Sequence, residues 1–509
     1  MISIRCNLND NLRLYGFEHF IQKYGIPIQI NDKHSKVYLD YGAECKSEFT
    51  IEIKENLNIK QIKETDIQDN LIKHFENKIK VYLDIPKLTG LILSGEDRIL
   101  SEMIKQKERA LSIPIIDVLE RMLFQTLLNA CKKLDLPLIT KTFWPHRKKF
   151  AVCLTHDVDE IKKTYQYLTR FLRHLKKCEF QRALYHMISF FTDKLFRRNP
   201  YWTFDEIMRI EERLGVRSTF FFLRETAKVN IFDPSTWHHY ARKYDFKEPK
   251  VANLIRDLIS KGWEVGLHGS YFSYMDKNKL KKEKELLEEV AGRIYGIRQH
   301  HLNLNIPQTW EYHDELGFDY DCSLGFKSHE GIGFKWGTCF PFHPYANGKT
   351  LSLLEIPLTI MDVSITPNED AWRHSIKLIE PIEEYGGVLT LLWHHTVFNN
   401  KEYPGWTEYY KRIIQYCKER NAWVTSAYEV AKWWRIREES KIKVNLHNNT
   451  LRIYPTTNNR EMLIDVYLPN RKKIHVLSNA EVIWGSEKLT TISIKSGEEC
   501  SLKIEGASW

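Results

Sequence analysis

The sequence predicts an α/β protein built around a distorted β/α barrel of seven or eight strands. Two observations carry this prediction. Between residues 146 and 438, short apolar runs alternate with amphipathic helical segments, which is typical of parallel strands. On either side of this region the period of the apolar residues changes. We therefore expect an N-terminal α/β accessory domain at 1–145, the barrel at 146–438 and a C-terminal β-sandwich at 440–509.

The elements of the barrel region follow one another in a regular order. The apolar run 150–154 is predicted to be the first strand. Thr203-Phe204-Asp205-Glu206 has the form of a capping box, so a helix begins there and ends at Gly215. A strand at 218–223 follows. Further helices are then predicted at 251–261, 277–295, 370–385, 407–420 and 427–437, each with a short apolar run after or before it.

The two flanking parts have different patterns. The N-terminal part mixes strand-like runs, such as 36–40, with one long amphipathic segment at 114–135. After residue 440, apolar and polar residues alternate without helical spacing, as at 451–454 and 463–468, which predicts a small β-sandwich. This sandwich either binds glycan or covers a face of the barrel, and we favour the structural role.

Composition limits the classes of protein that this chain can belong to. A hydrophobic content of 43% is typical of a folded globular protein, and a net charge of +9 does not by itself indicate a nucleic-acid partner. The nine cysteines include no Cys-x-x-Cys pair, which predicts reduced thiols and argues against a zinc-cysteine site. We find neither an N-terminal leader nor an 18-residue apolar stretch, so we expect a cytoplasmic enzyme.

Basic residues are concentrated in one segment, 162–198, which interrupts the alternation of strands and helices. One interpretation is a solvated helical face. The other is a surface that contacts an anionic glycan carrier or, peripherally, a membrane.

Two carboxylates stand at the end of the first predicted barrel strand. In Leu154-Thr155-His156-Asp157-Val158-Asp159, the acids follow the apolar run directly. Side chains just past the carboxyl end of a strand point into the ligand crevice of an α/β fold. One acid could hold a cation while the other remains free as a base. The alternative is that one of them caps the following helix.

Histidines and an arginine follow other predicted strands at the same place. His268 follows the run 263–267, Arg298 and His300 follow 295–297, and His394 follows 388–393. A single histidine of this kind is usually a hydrogen-bonded structural residue. Their recurrence at several strand ends predicts a metal site with a proton donor beside it.

These motifs resemble those of the polysaccharide deacetylases of the NodB-homology class, carbohydrate esterase family four, with extra N- and C-terminal domains here. Thr155–Asp159 is similar to their first motif, His268-Gly269-Ser270 to the second, Ile297–His300 to the third and Leu391–His394 to the last. The resemblance implies a metal-dependent enzyme on a distorted barrel. It implies that Asp157 is the base, that Asp159 and His268 bind metal, that Arg298 orients the catalytic carboxyl group and that His394 protonates the leaving amine.

One departure from the family concerns the metal. The second motif normally has another histidine four residues after the first, and this chain has Phe272 there. We therefore predict that His300 supplies the third ligand from the neighbouring strand. The ion would be one divalent metal, with Zn²⁺ favoured. The sugar subsite is expected near Trp310, Asp319 and Asp321, although these residues are equally consistent with capping and packing.

The predicted function is hydrolysis of the N-acetyl group of an amino sugar in a glycan or glycan precursor, which is free or carrier-linked. A glycoside hydrolase using Asp157 and a second carboxylate is one alternative, although it leaves the histidines unexplained. A catalytically impaired glycan-binding protein is the other, which Phe272 and the C-terminal domain favour. We expect no nucleic-acid partner.

Overall fold

The computed structural model describes residues 2–5, 10–30, 37–40, 49–54, 71–95, 112–230, 232, 236, 242–327, 330–456, 462–469, 472–486, 488–495 and 497–505. Its architecture is the predicted one, with an N-terminal α/β part, a central curled parallel sheet and a C-terminal pair of antiparallel sheets. The predicted boundaries at 145 and 440 stay predictions.

The N-terminal part is a six-stranded sheet flanked by helices. Its strands are β1 (Ile2–Arg5), β2 (Ile28–Ile30), β3 (Val37–Asp40), β4 (Phe49–Ile53), β5 (Ile72–His74) and β6 (Lys78–Val81), in the order β2-β1-β3-β4-β6-β5. All pairings are parallel except β5 with β6. The helices are α1 (Asn11–Tyr24), α2 (Ile85–Leu93) and α3 (Ile115–Lys133), and α3 is the predicted amphipathic segment. Strand β7 (Leu138–Lys141) comes next.

The central sheet contains the predicted parallel strands. Its long members are β8 (Ala151–Val158), β9 (Thr219–Leu223), β10 (Glu264–Gly269) and β11 (Gly296–Gln299), and β12 (Tyr320–Asp321) follows. A small antiparallel pair, β13 (Tyr345–Ala346) and β14 (Lys349–Thr350), precedes the rest, which are β15 (Leu354–Glu355), β16 (Ile360–Met361), β17 (Val388–Leu392) and β18 (Trp423–Ser426). All eight residues of β8 are buried, as expected for a parallel strand covered on both faces.

The sheet curls because one short segment joins its two edges. The strand order is β15-β12-β11-β10-β9-β8-β17-β16, with β18 also paired to β8, and every pairing is parallel. β15 and β16 are at opposite ends of this order, yet only residues 356–359 separate them. The Ile356 amide donates to the Asp321 carbonyl (2.8 Å) and the Thr359 amide to the Thr390 carbonyl (3.1 Å). The segment 354–361 therefore closes the distorted barrel.

Helices cover the barrel, and the six that begin at residues 204, 249, 277, 369, 406 and 427 lie close to the predicted positions. They are α4 (Gln166–Lys176), α5 (Phe180–Leu195), α6 (Phe204–Leu214), α7 (Pro249–Ser260), α8 (Lys277–Ala291), α9 (Gln308–Glu315), α10 (Glu369–Tyr385), α11 (Trp406–Glu419) and α12 (Ala427–Glu439). α6 ends at Gly215, which has φ of +65° and so adopts the left-handed conformation that glycine tolerates. No described helix combines the length and the hydrophobicity that a membrane crossing requires.

The C-terminal part consists of two four-stranded antiparallel sheets around their own core. Its strands are β19 (Lys441–His447), β20 (Thr450–Thr456), β21 (Met462–Tyr467), β22 (Lys473–Ser478), β23 (Ala480–Gly485), β24 (Leu489–Ile494) and β25 (Cys500–Glu505). The sheet orders are β19-β20-β25-β22 and β23-β24-β21-β7. β7 therefore completes the second sheet, and its Ile139 lies in the core opposite Val466. The sequence pattern did not predict this contribution from before the barrel.

Candidate metal and catalytic site

The predicted site residues meet at the carboxyl edge of the central sheet. Asp157 and Val158 are the last two residues of β8, and Asp159 follows them. His268 lies in β10, Arg298 in β11, His300 directly after β11 and His394 two residues after β17. Asp157, Asp159, His268, His300 and His394 line one cleft of about 400 Å³, whereas Arg298 is buried beneath it.

Three of these side chains form a cluster that could hold a metal ion. Asp159 Oδ1 lies 3.3 Å from His268 Nε2 and 3.4 Å from His300 Nδ1, and the two nitrogens are 3.2 Å apart. A tetrahedral ion with bonds of about 2.0–2.1 Å requires ligands about 3.3–3.4 Å apart. Asp159 Oδ1 is buried and has no hydrogen-bond partner among the described residues. The spacing and the unsatisfied oxygen both fit a divalent cation.

The surroundings of the cluster set the orientation and the protonation state of its three side chains. His268 Nδ1 donates to the Arg298 carbonyl (2.8 Å), which leaves Nε2 directed at the cluster. Burial opposes ionisation of Asp159, but the nearby His300, Arg242 and His268 outweigh burial and hold the pKa of Asp159 well below its usual range. Burial lowers the pKa of His300 well below its ordinary value. Burial also disfavours the charged form of His268, but the nearby Asp157 and Asp159 raise its pKa, so a metal would compete with a proton there.

Arg298 holds Asp157 from below. Its Nη1 donates to Asp157 Oδ1 (2.9 Å) and to Thr155 Oγ1 (2.7 Å), and its Nε donates to the Cys322 carbonyl (2.9 Å). The guanidinium is fully buried. Asp157 Oδ2 lies 3.5 Å from His268 Nε2, so one oxygen is held by the arginine while the other faces the ligand cluster. Arg298 thus contacts the carboxylate that the resemblance says it orients, and that role stays a prediction.

His394 stands opposite Asp157 and is held by a carboxylate. Its Nδ1 donates to Asp362 Oδ1 (2.8 Å), and its backbone amide donates to Asp362 Oδ2 (2.7 Å). Its Nε2 lies 4.0 Å from Asp159 Oδ2. Burial disfavours the charged imidazole, but the charge and the hydrogen bond of Asp362 dominate and raise the pKa of His394 to about 10. The ring therefore carries a proton on the side of the ligand cluster at neutral pH.

Sequence reasoning missed Asp362, although a signal was present. This residue follows the apolar run 356–361, just as Asp157 follows the run in β8. β16 has only two residues, which is too short to be predicted as a strand, so the sequence did not mark Asp362 as an acid at a strand end.

His395, the neighbour of His394, supports the turn that carries the acids. Its Nδ1 lies 3.1 Å from the Asp157 carbonyl and its Nε2 lies 2.9 Å from the Glu160 carbonyl. The ring stacks on Phe204 with 5.0 Å between centroids, and burial lowers its pKa to about 4. Of these two adjacent histidines, His394 therefore lines the cleft, whereas His395 is a buried support.

Arg242 is a second residue that the sequence did not indicate. Its Nη1 lies 2.7 Å from His300 Nε2, and its side chain also faces Asp159 (3.7 Å) and Glu160 (3.5 Å). A guanidinium only donates hydrogen bonds, so Nε2 of His300 is the acceptor and Nδ1 carries the proton in this arrangement. Ligation through Nδ1 would therefore require the other tautomer and a displaced Arg242.

The predicted sugar subsite is wrong. Trp310 is fully buried and donates to Glu355 Oε2 (2.8 Å), and Asp321 is buried against His313. Asp319 accepts from Arg293 at the surface. Trp310 and Asp321 thus pack inside the barrel, and Asp319 precedes β12, toward the amino edge of the parallel sheet and away from the cleft. The polar walls of the cleft are instead formed by Tyr271, Asn303, Lys327, Thr396 and Tyr403.

Phe272 lies outside the cleft, and its ring is 47% exposed. No ligand is therefore contributed from the position at which the resembled family has its second histidine. The nitrogen at that corner of the cluster belongs to His300, as predicted.

No protein family model and no curated protein sequence matches this chain. Among solved structures, the chain is similar to a protein named as a polysaccharide deacetylase from Mycobacterium smegmatis, at 18% sequence identity and a TM-score of 0.39, over 60% of this chain and 98% of that one. It is also similar to one named as a polysaccharide deacetylase from Pseudomonas aeruginosa PAO1 (15%, TM-score 0.39, 58% and 94%) and to the Puue allantoinase (15%, TM-score 0.39, 58% and 93%).

Proposed function

We propose that this protein is a zinc-dependent hydrolase that removes the N-acetyl group from an amino sugar in a glycan or glycan precursor. The observation that carries the proposal is the joint placement in one cleft of three metal-type ligands, a carboxylate held by an arginine and an imidazole held by a second carboxylate. Amide hydrolysis needs an activated water and a proton for the departing nitrogen. A binding protein needs neither.

Asp159, His268 and His300 would hold the ion. When bound, a divalent zinc ion lowers the pKa of a coordinated water and polarises a carbonyl group. Asp157 accepts the proton of the attacking water, and Arg298 keeps its carboxylate in one orientation. His394 holds a proton on Nε2 and donates it to the leaving nitrogen, which would otherwise leave poorly as an amide anion.

The substrate class is proposed from the cleft walls. Tyr271, Asn303 and Tyr403 present hydroxyl and amide groups of the kind that bind sugar hydroxyls, and Lys327 adds a positive charge. Lys327 Nζ donates to Asn303 Oδ1 (2.9 Å), which orders this wall.

The direct test is acetate release from N-acetylated saccharides and their activated forms, after metal analysis of protein purified without chelator. We expect one divalent ion per chain and loss of activity in chelator. His268→Ala should abolish stoichiometric metal with the fold intact, as judged by circular dichroism. Unchanged metal content in that variant would falsify the ligand assignment. Acetate release that persists in chelator would instead indicate a metal-free mechanism, and release of free sugar without acetate would indicate a glycoside hydrolase.

A second candidate function is glycan binding without catalysis. Arg242 favours it, because its positive charge lies against the ligands His300 and Asp159, where it competes with a cation. Arg242→Ala separates the two functions. Under the hydrolase proposal the variant binds zinc at least as tightly as the wild type. A wild type that binds no metal, but retains saccharide, would support the binding function.

A further inference from the structure

A helical hairpin beside the site has its apolar side chains on the outside. Residues 162–198 lead from the acidic turn to α6 and contain α4 and α5, which pack against each other. Amphipathic helices of a soluble protein normally turn the apolar stripe toward the core. This hairpin does the opposite.

Polar side chains occupy the inner face of the hairpin. Tyr167 donates to Asp193 across the two helices (2.9 Å), and Arg170 on α4 donates to Glu402 of the barrel (2.8 Å). His186 on α5 is buried as well. These contacts fix the hairpin on the barrel and determine which face remains outside.

The outer face is a continuous apolar stripe. On α4 its residues recur at intervals of four and three, and on α5 at intervals of three to four, so each set shares one side of its helix. Ten of the twenty large apolar side chains exposed in the described part of the chain lie here: Leu168, Leu172, Leu175, Phe180, Leu184, Met187, Ile188, Phe191, Leu195 and Phe196. Patches of this kind mark interaction surfaces.

The charge of the hairpin identifies the kind of partner. Residues 162–198 contain ten lysines and arginines but only Glu179 and Asp193 as acids, a net charge of +8, whereas the whole chain carries +9. Eight of the basic residues are exposed: Lys162, Arg173, Lys176, Lys177, Arg182, Lys194, Arg197 and Arg198. A second copy docked on this face would bring two surfaces of +8 together. An apolar stripe flanked by basic residues is complementary to an anionic lipid surface.

We propose that this hairpin docks the protein on an anionic lipid bilayer, with the apolar stripe in the headgroup region and the basic residues on the lipid phosphates. The same hairpin adjoins the site. Arg170 and Arg173 line a cavity of about 230 Å³ that Asp157, His394 and Tyr403 also line. Docking therefore holds this entrance to the site at the membrane surface, whatever bond the site hydrolyses.

The first experiment is sedimentation of the full chain with vesicles of phosphatidylcholine mixed with an equal part of phosphatidylglycerol, and with pure phosphatidylcholine vesicles. We expect binding to the anionic vesicles that added salt weakens. Phe191→Ser with Leu195→Ser should lower the vesicle-bound fraction at least about tenfold, because two large side chains no longer enter the bilayer. The matched control is Ile259→Ser with Leu477→Ser, two exposed apolar positions elsewhere, which should bind like the wild type.

The charge contribution is tested separately by changing Lys176, Lys177, Arg197 and Arg198 to glutamine. This variant should lose binding to the anionic vesicles without loss of helical content. A wild type that remains in the supernatant, or variants that bind like the wild type, would overturn the proposal. A change of oligomeric state in the Phe191→Ser, Leu195→Ser variant would also overturn it, because a second copy would then be the occupant.

Cys178 allows a direct measurement at the turn between the two helices. It is exposed, while Cys131, Cys153, Cys322, Cys339, Cys417 and Cys500 are buried free thiols. A polarity-sensitive fluorophore on Cys178, in a Cys6→Ser, Cys45→Ser background, should shift to the blue with anionic vesicles and not with soluble glycerol phosphate. An equal shift with both would mean that a free phosphate, rather than a lipid surface, is recognised, and would refute the membrane assignment.

Discussion

Two charged pairs line the cleft at the ends of the adjacent strands β8 and β17, and the two partners act differently. Asp157 is held by Arg298, which is wholly buried and reaches from β11, three strands away in the order of the sheet. His394 is held by Asp362, which accepts from both its ring and its backbone amide. The first partner fixes the direction of a carboxylate, whereas the second keeps an imidazole charged. Comparison of the two pairs shows how one cleft can offer both a proton acceptor and a proton donor.

The largest expected effect is on the acceptor side. Asp157→Asn should lower kcat by about 10²–10⁴-fold, because general acid or base groups typically contribute that much. The amide oxygen can still accept from Arg298, so we expect metal content and fold to be retained. Acetate release under metal-replete conditions gives the rate, and thermal unfolding is the control. A variant with near wild-type kcat would refute the base assignment.

The donor side is tested with His394→Ala and Asp362→Asn. His394→Ala should lower kcat by a similar factor of about 10²–10⁴. Asp362→Asn removes the charge that raises the pKa of His394. Because the donor must be protonated, the activity of this variant should decline at a lower pH than that of the wild type. The measurement is kcat against pH, and superimposable alkaline limbs would contradict the role of Asp362.

His395 sharpens the comparison because it adjoins the donor in sequence. His395→Ala should reduce activity less than His394→Ala and stability more, by about 3 kcal/mol, because it removes a buried aromatic ring and a support of the acidic turn. Chemical denaturation of both variants, with kcat measured in parallel, checks the contrast. Equal losses of stability would place both rings in the same role.

The smallest expected effect is a pH dependence of stability that arises from Glu283, which supports the end of β10, the strand that carries His268. Glu283 accepts from the amide (3.0 Å) and the hydroxyl group (2.5 Å) of Ser270, two residues after His268, and burial raises its pKa to about 7. A raised pKa in the folded state means that its contribution to stability is present at low pH and is lost as pH rises through about 7. Between slightly acidic and slightly alkaline pH, the free energy of unfolding should fall by about 2 kcal/mol for this reason. Glu283→Gln should flatten this dependence in denaturant titrations at several pH values, and an unchanged slope would contradict it.

Much of the barrel and part of the site could be predicted from sequence, because both follow local rules. Strand β8 and helix α6, with its end at Gly215, show the expected periods, but the predicted capping box is wrong, because the Thr203 hydroxyl donates to the His395 carbonyl instead of capping α6. Asp159, His268 and His300 each stand at the carboxyl end of a predicted strand, and this position alone predicts that they lie close together. Each of these residues follows an apolar run that is long enough to read as a strand.

The missed features depend on contacts between distant segments. Asp362 follows a strand of two residues that exists only because the barrel closes there. Arg242 reaches His300 from outside the strands. The segment 162–198 was correctly noted as basic, but which face of each helix is buried depends on Glu402, more than two hundred residues away. The spacing of apolar residues predicts that a helix has an apolar stripe, but it does not predict whether the stripe faces the core or the solvent.

Strand β7 has a consequence for the order in which the chain can fold during synthesis. Thr142, just after β7, donates to the Leu463 carbonyl 321 residues later, and among the described strands β7 pairs with β21 alone. On a ribosome, β7 emerges before the whole barrel, while its partner is made almost last. Its edge must therefore stay unpaired through the synthesis of the barrel, and unpaired strand edges promote aggregation. When the sandwich is completed, β7, which precedes the barrel, pairs with β21, which follows it. A nascent protein that is stalled before residue 462 still lacks this pairing. We therefore expect it to be the form that depends most on chaperones.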